Sequence, residues 1–496
     1  MDNKIVSLFQ LTNLKDDSAS SESFVRYVAG LSSIRKYKHQ EILDIDSLIS
    51  SINLSISDSN GFLFGYIVPR LNKEFDLIKL TDKYVLNIEL KCQPKKQEDI
   101  LRQLIQNAHY LKMLGRKVYC FEYISSNKQL LKLSNNELCE AEFHELEKLC
   151  LEKYVAIDLD DIFSPKNVLV SPLNDTERFL CNDYLLTENQ ENIKKDILNK
   201  MNNSEAGSFF GLTGGPGTGK TLLLYDIAKE LSKNKRVLII HGGLLCDGHS
   251  ILRERMPNIK ISEAKELKQR EIKNVDYVLV DESQRLYESA IDKIERWVKK
   301  AKAVCIFSFD PNQRVSHHEN DRKTVDKIEN LCGENKARLT SSIRTNKEMI
   351  LFMSCLFDLK KYKPNYNFEH IKLLFEPNKE KAAEFAKVLE GEGFEFISIT
   401  PSFFDTSLDY QKGKKNTHTV IGQEFEKVCM ILDSNFYYEN GCLRAKRHPN
   451  PDYIFTKLSQ QGITRARSGL ALIVTDKELL LNIMRLFPNN DMIRQN

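Results

Sequence analysis

Gly214-Gly215-Pro216-Gly217-Thr218-Gly219-Lys220-Thr221 fits the pattern G-x-x-x-x-G-K-[ST], and it lies between an apolar run and a helical stretch. Glycines there let backbone N–H groups turn inward around phosphates, and a helix N-terminus adds a favourable dipole. Lys220 is then placed for the β and γ oxygens of ATP, Thr221 for Mg²⁺, and Gly215 to Gly219 for the phosphate cradle. Further on, Val278-Leu279-Val280-Asp281-Glu282-Ser283-Gln284-Arg285 ends an apolar run on two carboxylates. An open parallel sheet presents its ligand edge at such strand ends. Asp281 suits the Mg²⁺ role and Glu282 the orientation and deprotonation of an attacking water, because phosphoryl transfer needs a placed nucleophile as well as a charge clamp.

A second constellation lies near the start of the chain. Asp76 is followed by Glu89-Leu90-Lys91 in the arrangement D-x₁₂-E-x-K. With spacing left free, a chain of this composition contains about one such match by accident. Placement carries more weight. Phe75 to Leu80 and Tyr84 to Lys91 read as a hairpin turning at Thr81-Asp82-Lys83, so Glu89 and Lys91 share one face with Asp76 across the turn. Glu74 takes the place of Asp76 if the register is shifted.

The elements around these residues form an α/β chain. From 20 to 160 the order predicted is helix, three strands, helix, strand, helix, strand, with Gly61 to Val68 as the first strand. Helical spacing of Ile100, Leu101, Leu104, Ile105, Ala108 and Leu111 places a helix before a buried strand at Lys117 to Ile124. Residues 161–184, with two prolines and the Asn174-Asp175 pair, are expected as a linker. From 185 to 340 strands at Phe209 to Thr213, Val237 to His241, Tyr277 to Val280 and Val304 to Ser308 alternate with amphipathic stretches. Such alternation predicts a doubly wound parallel sheet. A second such unit is expected over 341–496, with strands near Ile371 to Phe375, Phe394 to Ile399, Val428 to Leu432 and Leu470 to Val474. At 496 residues the chain is long enough for about three domains.

With these motifs in order, the stretch from about 185 to 475 resembles the superfamily 1 helicases, and most closely the compact cores of Schlafen type. Leu186-Thr187-Glu188-Asn189-Gln190 is similar to the family's adenine-reading motif, with Gln190 as reader. Ser308-Phe309-Asp310-Pro311-Asn312-Gln313 resembles the third motif, which implies that Gln313 senses the γ-phosphate. Ser342-Ile343-Arg344-Thr345 resembles the fourth, Gly422-Gln423-Glu424-Phe425 the fifth and Thr464-Arg465-Ala466-Arg467 the sixth. Charge developing on a γ-phosphate between two lobes is stabilised by arginines from the opposite wall, for which Arg344 and Arg465 are the candidates. The resemblance implies two RecA-like domains, ATP as cofactor and translocation on a nucleic-acid strand.

Residues 1–160 resemble the restriction-endonuclease-like nucleases. That implies Asp76 and Glu89 as ligands of Mg²⁺ or Mn²⁺, with Lys91 assisting catalysis. It also implies a helical glutamine, Gln103 or Gln106, and Glu41 as an upstream acid. The combined expectation is an ATP-dependent nuclease-helicase acting on DNA, with RNA left open and anti-phage defence as the role by analogy. The alternatives are a motor whose N-terminal domain only binds DNA, and an ATP-operated switch controlling a partner. A homo-oligomer or a partner protein stays open.

Composition narrows the class. The chain is 41% hydrophobic and 28% charged, as globular proteins are, and a net charge of +3 does not by itself mark a nucleic-acid binder. Eleven cysteines without a C-x-x-C pair argue against a disulfide framework or zinc knuckle and favour a reducing, cytoplasmic setting. Met1 to Ser20 lacks the apolar stretch of a secretory signal, and no segment approaches the roughly 18 apolar residues of a membrane span. The basic clusters Lys299, Lys300, Lys302 and Arg444, Lys446, Arg447 are read as solvated faces before phosphate contacts. Phe436, Tyr437 and Tyr438 are balanced between packing and base stacking. His249 and the pair His317-His318 have no partner at metal-ligand spacing.

Overall fold

The computed structural model describes the chain apart from residues 1–3, 14, 32–34, 36, 69–70, 72, 165–167, 169, 269–273, 312–322, 341–346, 364–365, 401–406, 447–452 and 488–496. It divides into two compact units, Met1–Val168 and Leu169–Asn496.

The first unit is a seven-stranded sheet in sequential strand order. Phe62–Ile67, Glu74–Leu80 and Tyr84–Lys91 run antiparallel in turn, and Tyr84–Lys91 then pairs parallel with Lys117–Ile124. A parallel pair needs a crossover, supplied by the helix Gln97–Leu111. Its Ile100 and Leu104 pack on Cys120, Ile124 and Leu131, while the helix His39–Ser51 sends Ile42, Ile45 and Leu48 to the other face with Phe121 and Tyr123. The sheet is thus covered on both sides. Between Lys117–Ile124 and the helix expected after it, which forms at Phe143–Cys150, a hairpin intervenes, Gln129–Ser134 with Glu137–Glu140. Its turn residues Asn135 and Asn136 both take positive φ, 50° and 63°, the conformation a tight two-residue hairpin requires.

The second unit holds two parallel sheets. The six-stranded one runs Ile259–Glu263, Val237–His241, Tyr277–Asp281, Val304–Phe309, Phe209–Gly214, Lys336–Leu339. Alternation along its strands feeds two cores. Ile239 and Leu279 face the helix Lys220–Leu231, whereas Ile240, Val278 and Val280 face Ile291, Ile294 and Val298 of Glu288–Ala301. This is double winding in physical terms. The edge strands Ile259–Glu263 and Lys336–Leu339 escaped the sequence reading because they are short and partly charged.

The five-stranded sheet runs Ile371–Phe375, Ala466–Val474, Phe425–Leu432, Glu395–Ser398, Lys415–Asn416, again parallel. It too has cores on both faces. Phe436 is buried in one of them, Tyr438 donates its hydroxyl to the carbonyl of Leu356, and Tyr437 is exposed. Residues 170–184 are not the free linker expected. Val170, Leu173, Phe179 and Tyr184 are buried in the core around Lys220–Leu231, since their apolar area outweighs the turn-forming residues between them. No helix of the described residues is long and apolar enough to cross a membrane.

Candidate functional site

The strand Phe209–Gly214 delivers the chain into the glycine loop, and Lys220 opens the following helix. Gly217 and Gly219 have φ of 69° and 83°, a region costly to any residue with a Cβ. Lys220 Nζ donates to the carbonyls of Gly214 and Gly215 at 2.8 and 2.9 Å. Thr221 Oγ1 donates to Asp281 Oδ2 at 3.1 Å, which joins the two expected Mg²⁺ ligands across adjacent elements. Gln190 lies beneath the loop. Its Nε2 donates to the Thr218 carbonyl at 3.1 Å and its Oε1 accepts from Thr187 N at 3.0 Å, so its amide braces the loop to the preceding helix.

Glu282 follows Asp281 with φ 52° and ψ 38°, a left-handed conformation unusual for a side chain of its size and one that clusters at functional sites. Its Oε2 accepts from Gln284 Nε2 at 2.7 Å and pairs with Arg285 Nε at 3.5 Å. Burial resists its ionisation, but Arg285, Arg465 and Lys220 together hold its carboxyl well below the usual range. It is therefore a buried carboxylate ringed by cations. Gln284 Oε1 accepts from Asp310 N at 3.2 Å, and Ser283 Oγ donates to the Ser308 carbonyl, fastening this segment to the end of the neighbouring strand.

The opposite wall comes from the five-stranded sheet. The helix Phe455–Ile463 ends just before Arg465, whose Nε and Nη1 donate to the carbonyls of Gln461 and Gln423, each at 3.2 Å. Arg285 and Gln461 join the lobes directly. Arg285 Nη2 donates to Gln461 Oε1 at 2.9 Å, while Gln461 Nε2 donates to the Thr417 carbonyl at 2.6 Å. Neither Arg285 nor Gln461 has a role in the motifs of the sequence. The signal available was that Gln461 stands one helical turn before Arg465. Arg467 instead pairs with Glu424 and Asp175 at 3.4 and 3.5 Å, and Gly422 has φ 76°. Gln313 and Arg344 lie outside the described residues, as do Arg447 and the His317-His318 pair. Lys299, Lys300, Lys302, Arg444 and Lys446 are exposed.

Residues 208–385 match the family model described as Schlafen group 3, DNA/RNA helicase domain. That match lies within the second unit. Among solved structures, the Pif1 helicase from Candida albicans is 12% identical, with a TM-score of 0.33 over 61% of this chain and 99% of that one. The Bacteroides Pif1 helicase in complex with ADP-AlF3 and ssDNA is 12% identical, with a TM-score of 0.34 over 63% and 96%. The flagellar accessory protein FlaH from Methanocaldococcus jannaschii is 13% identical, with a TM-score of 0.24 over 29% and 76%. No curated protein matches the chain.

The first unit gathers its own polar centre. Strand pairing reaches Leu77 with Ile88, so the next step sets Asp76 beside Glu89 on one face. Lys91 Nζ stands 3.7 Å from both Asp76 Oδ2 and Glu89 Oε2. Of the two candidate glutamines, Gln103 is the one that bonds Glu89 Oε2, and Asn107, unforeseen in the sequence, donates to Glu89 Oε1 at 2.8 Å. Asn107 was legible only as one helical turn beyond Gln103. Burial, reinforced by Asp76, pushes the Glu89 carboxyl up to about 7 against the pull of Lys91. Glu41, Glu74 and Asp76 bring carboxylate oxygens within 4.8 Å of one another, yet Arg35 pairs with both Glu41 and Glu74 at 2.6 Å. Asp76 and Glu89 offer only oxygen donors, which suit a hard divalent cation such as Mg²⁺ or Mn²⁺.

Proposed function

We propose that the chain is an ATP-dependent nuclease-helicase of superfamily 1 that moves along DNA and cuts it. The observation that carries the motor half is the bond from Arg285 to Gln461, which ties the Asp281-Glu282 segment of one lobe to the helix ending at Arg465 of the other. A cleft whose two walls share hydrogen bonds at the phosphate site can open and close with nucleotide, and lobes that grip a strand in turn then step along it. Lys220, with the backbone of Gly215 to Gly219 and Thr218, would hold the phosphates of ATP. Glu282 would orient water, and Arg465, with Arg344, would face the transferred phosphoryl group. Mg²⁺ on Thr221 and Asp281 would neutralise phosphate charge.

The nuclease half rests on Asp76, Glu89 and Lys91 converging on one face. Asp76 and Glu89 would hold Mg²⁺ or Mn²⁺, which when bound supplies charge stabilisation and an activated water. Lys91 would offset charge on the scissile phosphate, and Gln103 and Asn107 hold Glu89 in place. A motor coupled to cutting suits the destruction of foreign nucleic acid, and anti-phage defence is the role we assign. The competing reading, an N-terminal unit that binds DNA without cutting, is favoured by the Arg35 pairing with Glu41 and Glu74, which leaves those two acids already satisfied.

Cleavage of single-stranded and duplex DNA and of RNA, in Mg²⁺ or Mn²⁺ with and without ATP, decides between them. Lys91→Ala is expected to abolish cutting, and Lys220→Ala to remove only its ATP dependence. A wild type that hydrolyses ATP but cuts nothing retires the nuclease. An ATPase rate indifferent to DNA and RNA favours the switch.

A further inference from the structure

Glu122 lies on the strand Lys117–Ile124, directly paired with Glu89 on the neighbouring parallel strand. Both face the helix Gln97–Leu111, for Cys120 and Ile124, which flank Glu122 on the same side, pack on Ile100 and Leu104. Glu122 is fully buried, and neither of its carboxylate oxygens has a hydrogen-bond partner among the described residues. A buried carboxylate without partners is expensive, and each such group calls for a reason. Lys91 pairs with Ile124, two positions beyond Glu122, so it stands diagonally across from Glu122 on the same face of the sheet.

Lys91 now shares Asp76 and Glu89 at 3.7 Å each. A divalent cation held by those same two carboxylates would place its charge against the ammonium. Lys91 must then leave them, and with only 16% of its side chain exposed it cannot simply turn into water. A four-carbon stem ending in rotatable donors can swing to a nearby acceptor. We infer that Glu122 is the counter-ion to which Lys91 turns when a divalent cation binds Asp76 and Glu89 and no phosphate is yet there to take its charge. It is a positioning residue, silent until the cation arrives. The inference rests on reading this centre as a metal centre, and Glu122 itself is not a ligand.

The test is Mn²⁺ binding by titration calorimetry on the full chain without nucleotide, in an Asp281→Asn background that silences the motor's own carboxylate. Glu122→Gln is expected to weaken Mn²⁺ about tenfold, the scale of an outer partner of a metal site. In a Lys91→Met background the same substitution is expected to change nothing, because no ammonium needs a new partner. Glu122→Asp, which keeps the charge, should lie closer to wild type than Glu122→Gln, and Glu122→Gln should melt no lower than wild type since it removes an unpaired buried charge. Equal weakening in both backgrounds makes Glu122 a direct ligand and overturns the inference; no weakening in either also overturns it. DNA cutting separates the two ideas. A protein that cuts but shows no coupling refutes the inference alone, and one that shows the coupling but cuts nothing refutes the nuclease alone.

Discussion

Gln461→Ala addresses the joint between the lobes. Its side chain is 2% exposed and serves two buried groups, accepting from Arg285 Nη2 at 2.9 Å and donating to the Thr417 carbonyl at 2.6 Å. Truncation leaves both short of a partner, although Arg285 retains its pairing with Glu282. A buried group left unsatisfied costs about 1–3 kcal/mol, so about 2 kcal/mol against the joined arrangement is a conservative figure. If catalysis needs that arrangement, kcat/KM for ATP should fall by a factor of about 30, since each 1.4 kcal/mol is about tenfold. The assay is steady-state ATPase with saturating single-stranded DNA, alongside equilibrium binding of a nucleotide analogue. Binding should fall much less than turnover, because Lys220 and the glycine loop belong to one lobe. A Gln461→Ala protein that hydrolyses ATP at the wild-type rate would refute the idea that this bond holds the catalytic arrangement.

Further outcomes follow from other contacts. Glu282→Gln should bind ATP yet lose about 10²–10⁴ in kcat, the usual weight of a general base, as read by single-turnover hydrolysis. His249 is buried with its pKa lowered to about 2, chiefly by burial, so the unfolded chain takes up a proton below about 6.5 that the folded one refuses. The folded state therefore loses stability as pH falls through that value, about 2 kcal/mol between pH 7.5 and 5. Urea unfolding at both pH values should show this loss reduced in His249→Gln. At Gly248 a Cβ would stand 2.2 Å from the Leu173 carbonyl, so Gly248→Ala should destabilise by about 1–3 kcal/mol. Gly391→Ala meets nothing within 4 Å and should leave the melting temperature unchanged or raised.

Local chemistry made much of this protein readable in advance. The glycine loop, the Asp281-Glu282 pair and the apolar strands behind them are contiguous, and a contiguous motif carries its own geometry. Tyr84–Lys91, Val237–His241 and Ile371–Phe375 begin and end where their apolar patterns do. D-x₁₂-E-x-K was also legible as a hairpin, because alternation and a short turn fix which side chains share a face. Contacts between residues far apart in the chain were not legible. Only the tertiary structure decided that Arg285 meets Gln461 across 176 positions, that Arg467 pairs with Glu424 and Asp175, and that Gln103 bonds Glu89. It also decided that residues 170–184 pack as core, since whether Leu173 or Phe179 is covered depends on surfaces built from distant segments. Glu122 shows the limit most plainly. In the sequence it is one acid among 69 aspartates and glutamates, and only strand pairing with Glu89 and burial on the face of Gln97–Leu111 give it a neighbourhood in which its charge has consequences.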